Sequence, residues 1–101
     1  MKNLKNVEFD LEGIDKKASY FDLIIQAVNT PGKDGLGDLN TQMMRMTILK
    51  KVKEAQVKKD VDHVDLEDAE AIALVEFQEN VRYAILDENL INYQKLIKNL
   101  I

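Results

Sequence analysis

Asp60, Asp62, His63 and Asp65 are the residues in this chain closest to a recognisable chemistry, because carboxylates and an imidazole at near-alternate positions are cation ligands. The pattern stops short of a site. An EF-hand loop opening at Asp60 needs glycine at its sixth position and glutamate at its twelfth, and Asp65 and Ala71 stand there. A zinc centre draws on several His or Cys ligands, whereas His63 is the single histidine and cysteine is absent. The composition also excludes a disulfide and a thiolate nucleophile. Gly32, Gly35 and Gly37 lack the order of a phosphate-binding loop and the strand that precedes one. With 18 Asp and Glu among 101 residues, carboxylates neighbour one another by chance, so proximity in sequence is no sign of a general acid and base. The sequence offers no catalytic residue, no metal ligand set and no cofactor motif, and a non-enzymatic protein is expected.

Charge is unevenly distributed. Arg45, Lys50, Lys51, Lys53, Lys58 and Lys59 form a basic stretch interrupted only by Glu54. Asp60, Asp62, Asp65, Glu67, Asp68, Glu70, Glu76 and Glu79 follow with no basic residue before Arg82. Arg45, Lys50, Lys51 and Lys53 share one stretch of helix and are candidate contacts to an anionic partner. Nucleic acid is disfavoured by the net charge of −4, by the lack of a tight turn between two short helices, and by tyrosines (Tyr20, Tyr83, Tyr93) that do not interleave with the basic run. The same two-signed pattern suits attraction between two solvated helix faces, or between the edges of neighbouring subunits.

These groups must be positioned by a modest core. The chain is 46% hydrophobic and 32% charged, which suits one globular domain over residues 1–101 with a wet surface. The first ten residues lack the apolar core of a signal peptide, and no run reaches the roughly 18 apolar residues of a membrane span. A cytoplasmic location is expected, with no membrane contact.

Val7, Phe9 and Leu11 alternate with acidic residues, the period of a half-buried strand. Glu12-Gly13 supplies a turn and Ile14 to Lys16 a return strand, giving a hairpin within residues 1–17. Ser19 with Asp22 has capping-box spacing and opens a helix over 19–29, which Pro31 ends. After a glycine-rich loop, Asp38 or Asn40 caps a helix over 39–56. Its core stripe is read as Met43, Met46, Leu49 and Val52, widened by Ile48 and Ala55. Residues 59–64 are a polar connection. A third helix over 66–80 presents Ala69, Ile72, Ala73, Val75 and Phe77, with Asp65 or Glu67 at its start. Asp87 caps a fourth over 87–100, unless 66–100 is one continuous helix. The expected fold is mainly α (α+β), a short N-terminal β-hairpin packed on three to four helices.

The last helix carries the clearest periodicity. Leu86, Leu90, Tyr93, Ile97 and Leu100 follow at steps of four, three, four and three, a single apolar seam. It docks on this chain's own core or on a partner. As an interface it would join a second copy or another protein.

The order of segments VEFDLEG, SYFDLIIQAV, LNTQMMRMTILKKVKEA, VDLEDAEAIALVEFQENV and INYQKLIKNL resembles small proteins encoded in tailed-bacteriophage genomes. Those often show a hairpin, a helix, a loop, an RM-like amphipathic helix and a V-[DE]-L-x-x-[DE] lead-in to another helix. The resemblance implies a phage source and a place in a bacterial cytoplasm or a virion. It carries over no functional residue. Two functions follow as expectations. One is an assembly or accessory protein that oligomerises through its C-terminal helix. The other is a regulator or inhibitor acting on a host nucleic-acid enzyme or on DNA.

Overall fold

A computed structural model describes residues 1–11, 16–58 and 60–101. Two antiparallel ribbons and four helices make an α+β fold: β1 (Lys2–Lys5), β2 (Glu8–Asp10), β3 (Lys17–Ser19), α1 (Tyr20–Asn29), α2 (Leu39–Val57), β4 (His63–Leu66), α3 (Asp68–Gln78) and α4 (Glu88–Lys98). The ribbons pair β1 with β4 and β2 with β3. The N-terminal hairpin is therefore β2–β3, with Lys17–Ser19 as its described return strand; Ile14 and Asp15 of the expected return strand lie outside the described residues. The expected turn at Glu12-Gly13 lies outside the described residues.

The β1–β4 ribbon has no counterpart in the sequence reading, which left residues 59–64 as a connection and began the third helix at Leu66. Leu4 stands opposite Val64 in the ladder, and Leu4, Val64 and Leu66 are all buried. The pleat sends alternate side chains to opposite faces, so His63 and Asp65 face solvent while Val64 and Leu66 enter the core. Asn6 joins the two ribbons. Its N–H donates to the Asp62 carbonyl, 2.6 Å, and its side-chain oxygen accepts from Phe21 N, 3.0 Å, in the first turn of α1.

Local chemistry sets the helix ends. Ser19 Oγ accepts from Asp22 N, 3.2 Å, and Ser19 N donates to the Asp22 carboxylate, 3.1 Å, a reciprocal cap. Asp38 caps α2 by accepting from Thr41 N, 2.8 Å. That backbone donor is the main cause of a carboxyl pKa held below its ordinary value. Glu67 precedes α3, its N–H donating to the buried Glu70 carboxylate, 2.7 Å. Asp87 accepts from Asn89 N, 2.8 Å, at the head of α4.

The C-terminal seam closes this chain's own core. Leu90, Tyr93, Ile97 and Leu100 are buried, whereas Leu86 is 88% exposed. The sequence-derived interface of Leu86, Leu90, Tyr93, Ile97 and Leu100 is thereby corrected. Four of its members already have partners within the chain. Leu86 lies before the first turn of α4, where the helical period has not begun. Tyr93 meets the edge of Tyr20 with centroids 5.3 Å apart, and Tyr20 meets Phe9 at 6.0 Å, so an aromatic chain ties α4 to α1 and to the hairpin. Tyr93 Oη donates to Gln78 Oε1, 2.8 Å, and Gln78 Nε2 donates to Tyr83 Oη, 3.1 Å.

Two outcomes are expected from this packing. Ile97→Ala lowers stability by about 2–5 kcal/mol, as for other buried large-to-small changes, while Leu86→Ala stays within about 0.5 kcal/mol; urea titration compares them, and equal effects would place Ile97 outside the core. Burial first, and neighbouring Tyr83 second, push the Tyr93 phenol above its ordinary 10.0. Past pH 10 the unfolded chain loses this proton and the folded chain keeps it. Stability is thus full below that pH and falls as pH rises beyond it. Tyr93→Phe removes part of that alkaline slope, read from urea midpoints at successive pH values.

Candidate interaction surface

Helix α2 has apolar residues on two opposite faces, and the structure determines which one is inside. Ile48, Val52 and Ala55 are buried, together with Arg45 on the same side. At about 100° per residue, Leu39, Met43, Met46, Lys50, Lys53 and Val57 then fall on the outer side. They follow at steps of four, three, four, three and four, a continuous heptad seam. The apolar members are 71% (Leu39), 59% (Met43), 49% (Met46) and 79% (Val57) exposed, and both lysines are exposed. The expected core stripe through Met43 and Met46 is corrected accordingly: it ran along the boundary between faces and joined residues that point apart. In α3 the expected face holds at Phe77, which is buried, and at Ala73 and Val75, which pack against the core, and is corrected at Ala69 and Ile72, which are exposed; Ala71 and Leu74 enter the core with Glu70 and Gln78.

Arg45 supports this rotation from the same side as Ile48, Val52 and Ala55. Its side chain turns inward and is buried. Nε donates to the Leu36 carbonyl, 3.0 Å, and Nη1 donates to the carbonyls of Val28 and Thr30, both at 2.9 Å. The guanidinium carbon lies 4.0 Å from the centroid of the Phe77 ring. Desolvation draws its pKa below the usual arginine value. The planar fork suits this role because it serves several carbonyls at fixed angles and stacks on a ring. Arg45 is therefore an internal clamp, not a contact for an anionic partner, and that expectation is corrected.

Of the other basic candidates, Lys51 pairs with buried Glu70 from α3, which leaves Lys50 and Lys53 on the outer seam. The loop over residues 30–38 folds under the start of α2. Gly32 and Gly35 exchange backbone hydrogen bonds, and Gly37 has φ of 92°, where a Cβ would come within 2.7 Å of Thr41 Cγ2. Leu36, held through its carbonyl by Arg45, borders a cleft of about 130 Å³ with Val28, Met46 and Leu49.

Residues that pointed to chemistry in the sequence do not converge. His63 Nδ1 lies 3.3 Å from Asp62 Oδ1, a contact that is the main cause of a lowered Asp62 pKa. Asp65 accepts from Asn3 Nδ2, 2.8 Å, instead. Among the described residues, no three His, Asp or Glu side chains gather as a metal cluster. The cleft beside β4, about 330 Å³, is lined by Lys51, Glu54, Lys58, His63 and Asp65 among others, with no serine or cysteine. Among the described residues, no helix is long and apolar enough to cross a membrane.

No protein-family model, curated protein or solved structure matches this chain. The surface seam Leu39–Val57 was missed in the sequence because two lysines interrupt its apolar members. The signal that could have found it is the unbroken four-three spacing.

Arg45→Ala is expected to lower stability by about 2–4 kcal/mol, because three carbonyls lose a charged donor. Met43→Ser with Met46→Ser changes stability by less than about 1 kcal/mol. Urea unfolding measures both, and a reversed order would put the methionines inside.

Proposed function

We propose that this protein is a non-enzymatic protein–protein interaction module whose working surface is the outer face of α2. The observation that carries the reading is the exposure of Leu39, Met43, Met46 and Val57 in one line along a 19-residue helix. Isolated exposed apolar residues are ordinary on a soluble surface, but Leu39, Met43 and Met46 follow one another on successive turns, and such grouping marks a contact site. Methionine suits such a strip, since its unbranched thioether chain adapts to a partner's shape. The likeness to small tailed-phage proteins fits an accessory or assembly role in a bacterial host or a virion. A second reading, a regulator of a nucleic-acid enzyme, draws on Asp60, Asp62, Asp65, Glu67 and Asp68, which are exposed around β4 and the head of α3. Contacts led by those charges would weaken steeply with salt, and contacts led by the α2 strip would not.

A photo-crosslinking amino acid placed at Met46 in producing cells tests the first reading. Nuclease-resistant protein adducts are expected from Met46 and not from exposed Asn92 on α4. Adducts to nucleic acid alone, or no adduct from Met46, would overturn it.

A further inference from the structure

We propose that the partner of the α2 outer face is a second copy of the same chain, docked antiparallel about a two-fold axis near the level of residue 48. The proposal rests on the reading of α2 as an interaction surface and adds its occupant. The outer seam is a near-palindrome in chemistry. Run antiparallel against itself, it sets Leu39 opposite Val57 of the second copy, Met43 opposite Lys53 and Met46 opposite Lys50. Each apolar end residue meets an apolar one. Each lysine lies along a methionine, its methylene stem on the thioether and its ammonium reaching water. The flanks follow the same symmetry. Asn40 neighbours Glu54 and Thr47 neighbours Thr47 along one side, and Gln42 neighbours Gln56 and Leu49 neighbours Leu49 along the other, each pair about 3 Å from level. No lysine stands directly opposite another, the nearest like charges being the two Lys50, about 6 Å apart along the axis in adjacent layers. A parallel pairing would set Lys50 against Lys50 and Lys53 against Lys53, two repulsive contacts in the middle of the seam. A symmetric dimer needs a patch complementary to itself, and this strip meets that condition in one orientation only.

The geometry permits the approach. The strip's residues face solvent from Leu39 to Val57, and half-exposed Leu36 lies beside it near Met46. A helix of 19 residues is about 28 Å long at 1.5 Å per residue. A contact of one helix on one helix falls below the size of a standard stable interface. A reversible dimer with a dissociation constant on the order of 10–100 μM is the expected result.

Sedimentation equilibrium of the purified protein from about 10 μM to about 1 mM is the first test, and a monomer throughout would overturn the proposal. Register is tested by charge. Met43→Lys with Met46→Lys puts lysine against lysine, whereas Met43→Glu with Met46→Glu puts glutamate against lysine. The glutamate variant is expected to dimerise at least about tenfold more tightly than the lysine variant at low ionic strength, with the gap closing in high salt. This order runs against overall repulsion, because the net charge of −4 moves toward zero in the lysine variant and away from it in the glutamate variant. Equal impairment of the two would overturn the antiparallel pairing, and an undiminished dimer in the lysine variant would place the interface elsewhere.

Orientation has its own readout, since the chain has no cysteine. Leu39→Cys chains mixed with Val57→Cys chains are expected to form the mixed disulfide on oxidation. Leu39→Cys alone leaves its sulfurs about 27 Å apart in the antiparallel dimer, too far to bridge. A dominant Leu39→Cys homodisulfide would overturn the proposal. If the purified chain is monomeric while Met46 crosslinks a different protein in cells, self-association fails and the interaction reading survives. If neither is seen, both fail.

Discussion

A single buried cation fixes how the helices of this protein face one another. Arg45 takes up the carbonyls of Val28, Thr30 and Leu36 and lies on the ring of Phe77, so α1, the following loop, α2 and α3 meet at one guanidinium. The end of α1 shows why the clamp is needed. No basic residue stands in its last turn to answer its free carbonyls. Asn29 Nδ2 donates to Ile25 O, Thr30 Oγ1 to Gln26 O and Thr30 N to Ala27 O. The next carbonyl, on Val28, goes to Arg45. A neutral side chain at position 45 would leave that carbonyl without its charged donor, and the chain would lose its reason to hold α2 at this rotation.

The rotation of α2 then has consequences at both faces. Turning Arg45 inward carries Ile48, Val52 and Ala55 into the core with it, because they lie on the same side of the helix. It also turns Leu39, Met43, Met46 and Val57 out. Lys51 lands beside Glu70, which already accepts the N–H of Glu67 at the head of α3. The same turn of α2 thus positions the entry of α3 and creates the exposed seam. Surface and core are two results of one constraint, and a change at Arg45 would disturb the outer face without touching it.

What the sequence made legible is what adjacent residues decide. Ser19 with Asp22, Asp38 and Asp87 are caps whose donors lie within three positions, and each helix starts where its cap implies. The pairing of Leu4 with Val64 joins residues 60 apart, and no local pattern encodes such a partner. The faces of α2 and α3 were hidden for another reason. Apolar residues stand on opposite sides of α2, so periodicity supports either side as the core, and the choice lies with Phe77 and with carbonyls of another helix. The Leu86–Leu100 seam was legible as a stripe. Whether it was core or interface depended on Tyr20 and Gln78 meeting Tyr93, again a long-range matter.

Placing that C-terminal stripe inside the molecule changes what kind of association the chain can support. Leu90, Tyr93, Ile97 and Leu100 complete the core of a single copy, so this stripe is closed without a partner. An obligate oligomer would leave its core stripe open until assembly. The face left outside is of a different character, two methionines and two lysines between a leucine and a valine, all on adaptable or solvated side chains. Ordering such side chains opposes binding, and their apolar area favours it by only a modest margin. The association proposed for α2 would therefore be governed by concentration. The inner side of the helix is anchored by Arg45, and the flexible methionines and lysines of the outer side would be free to adjust to a partner.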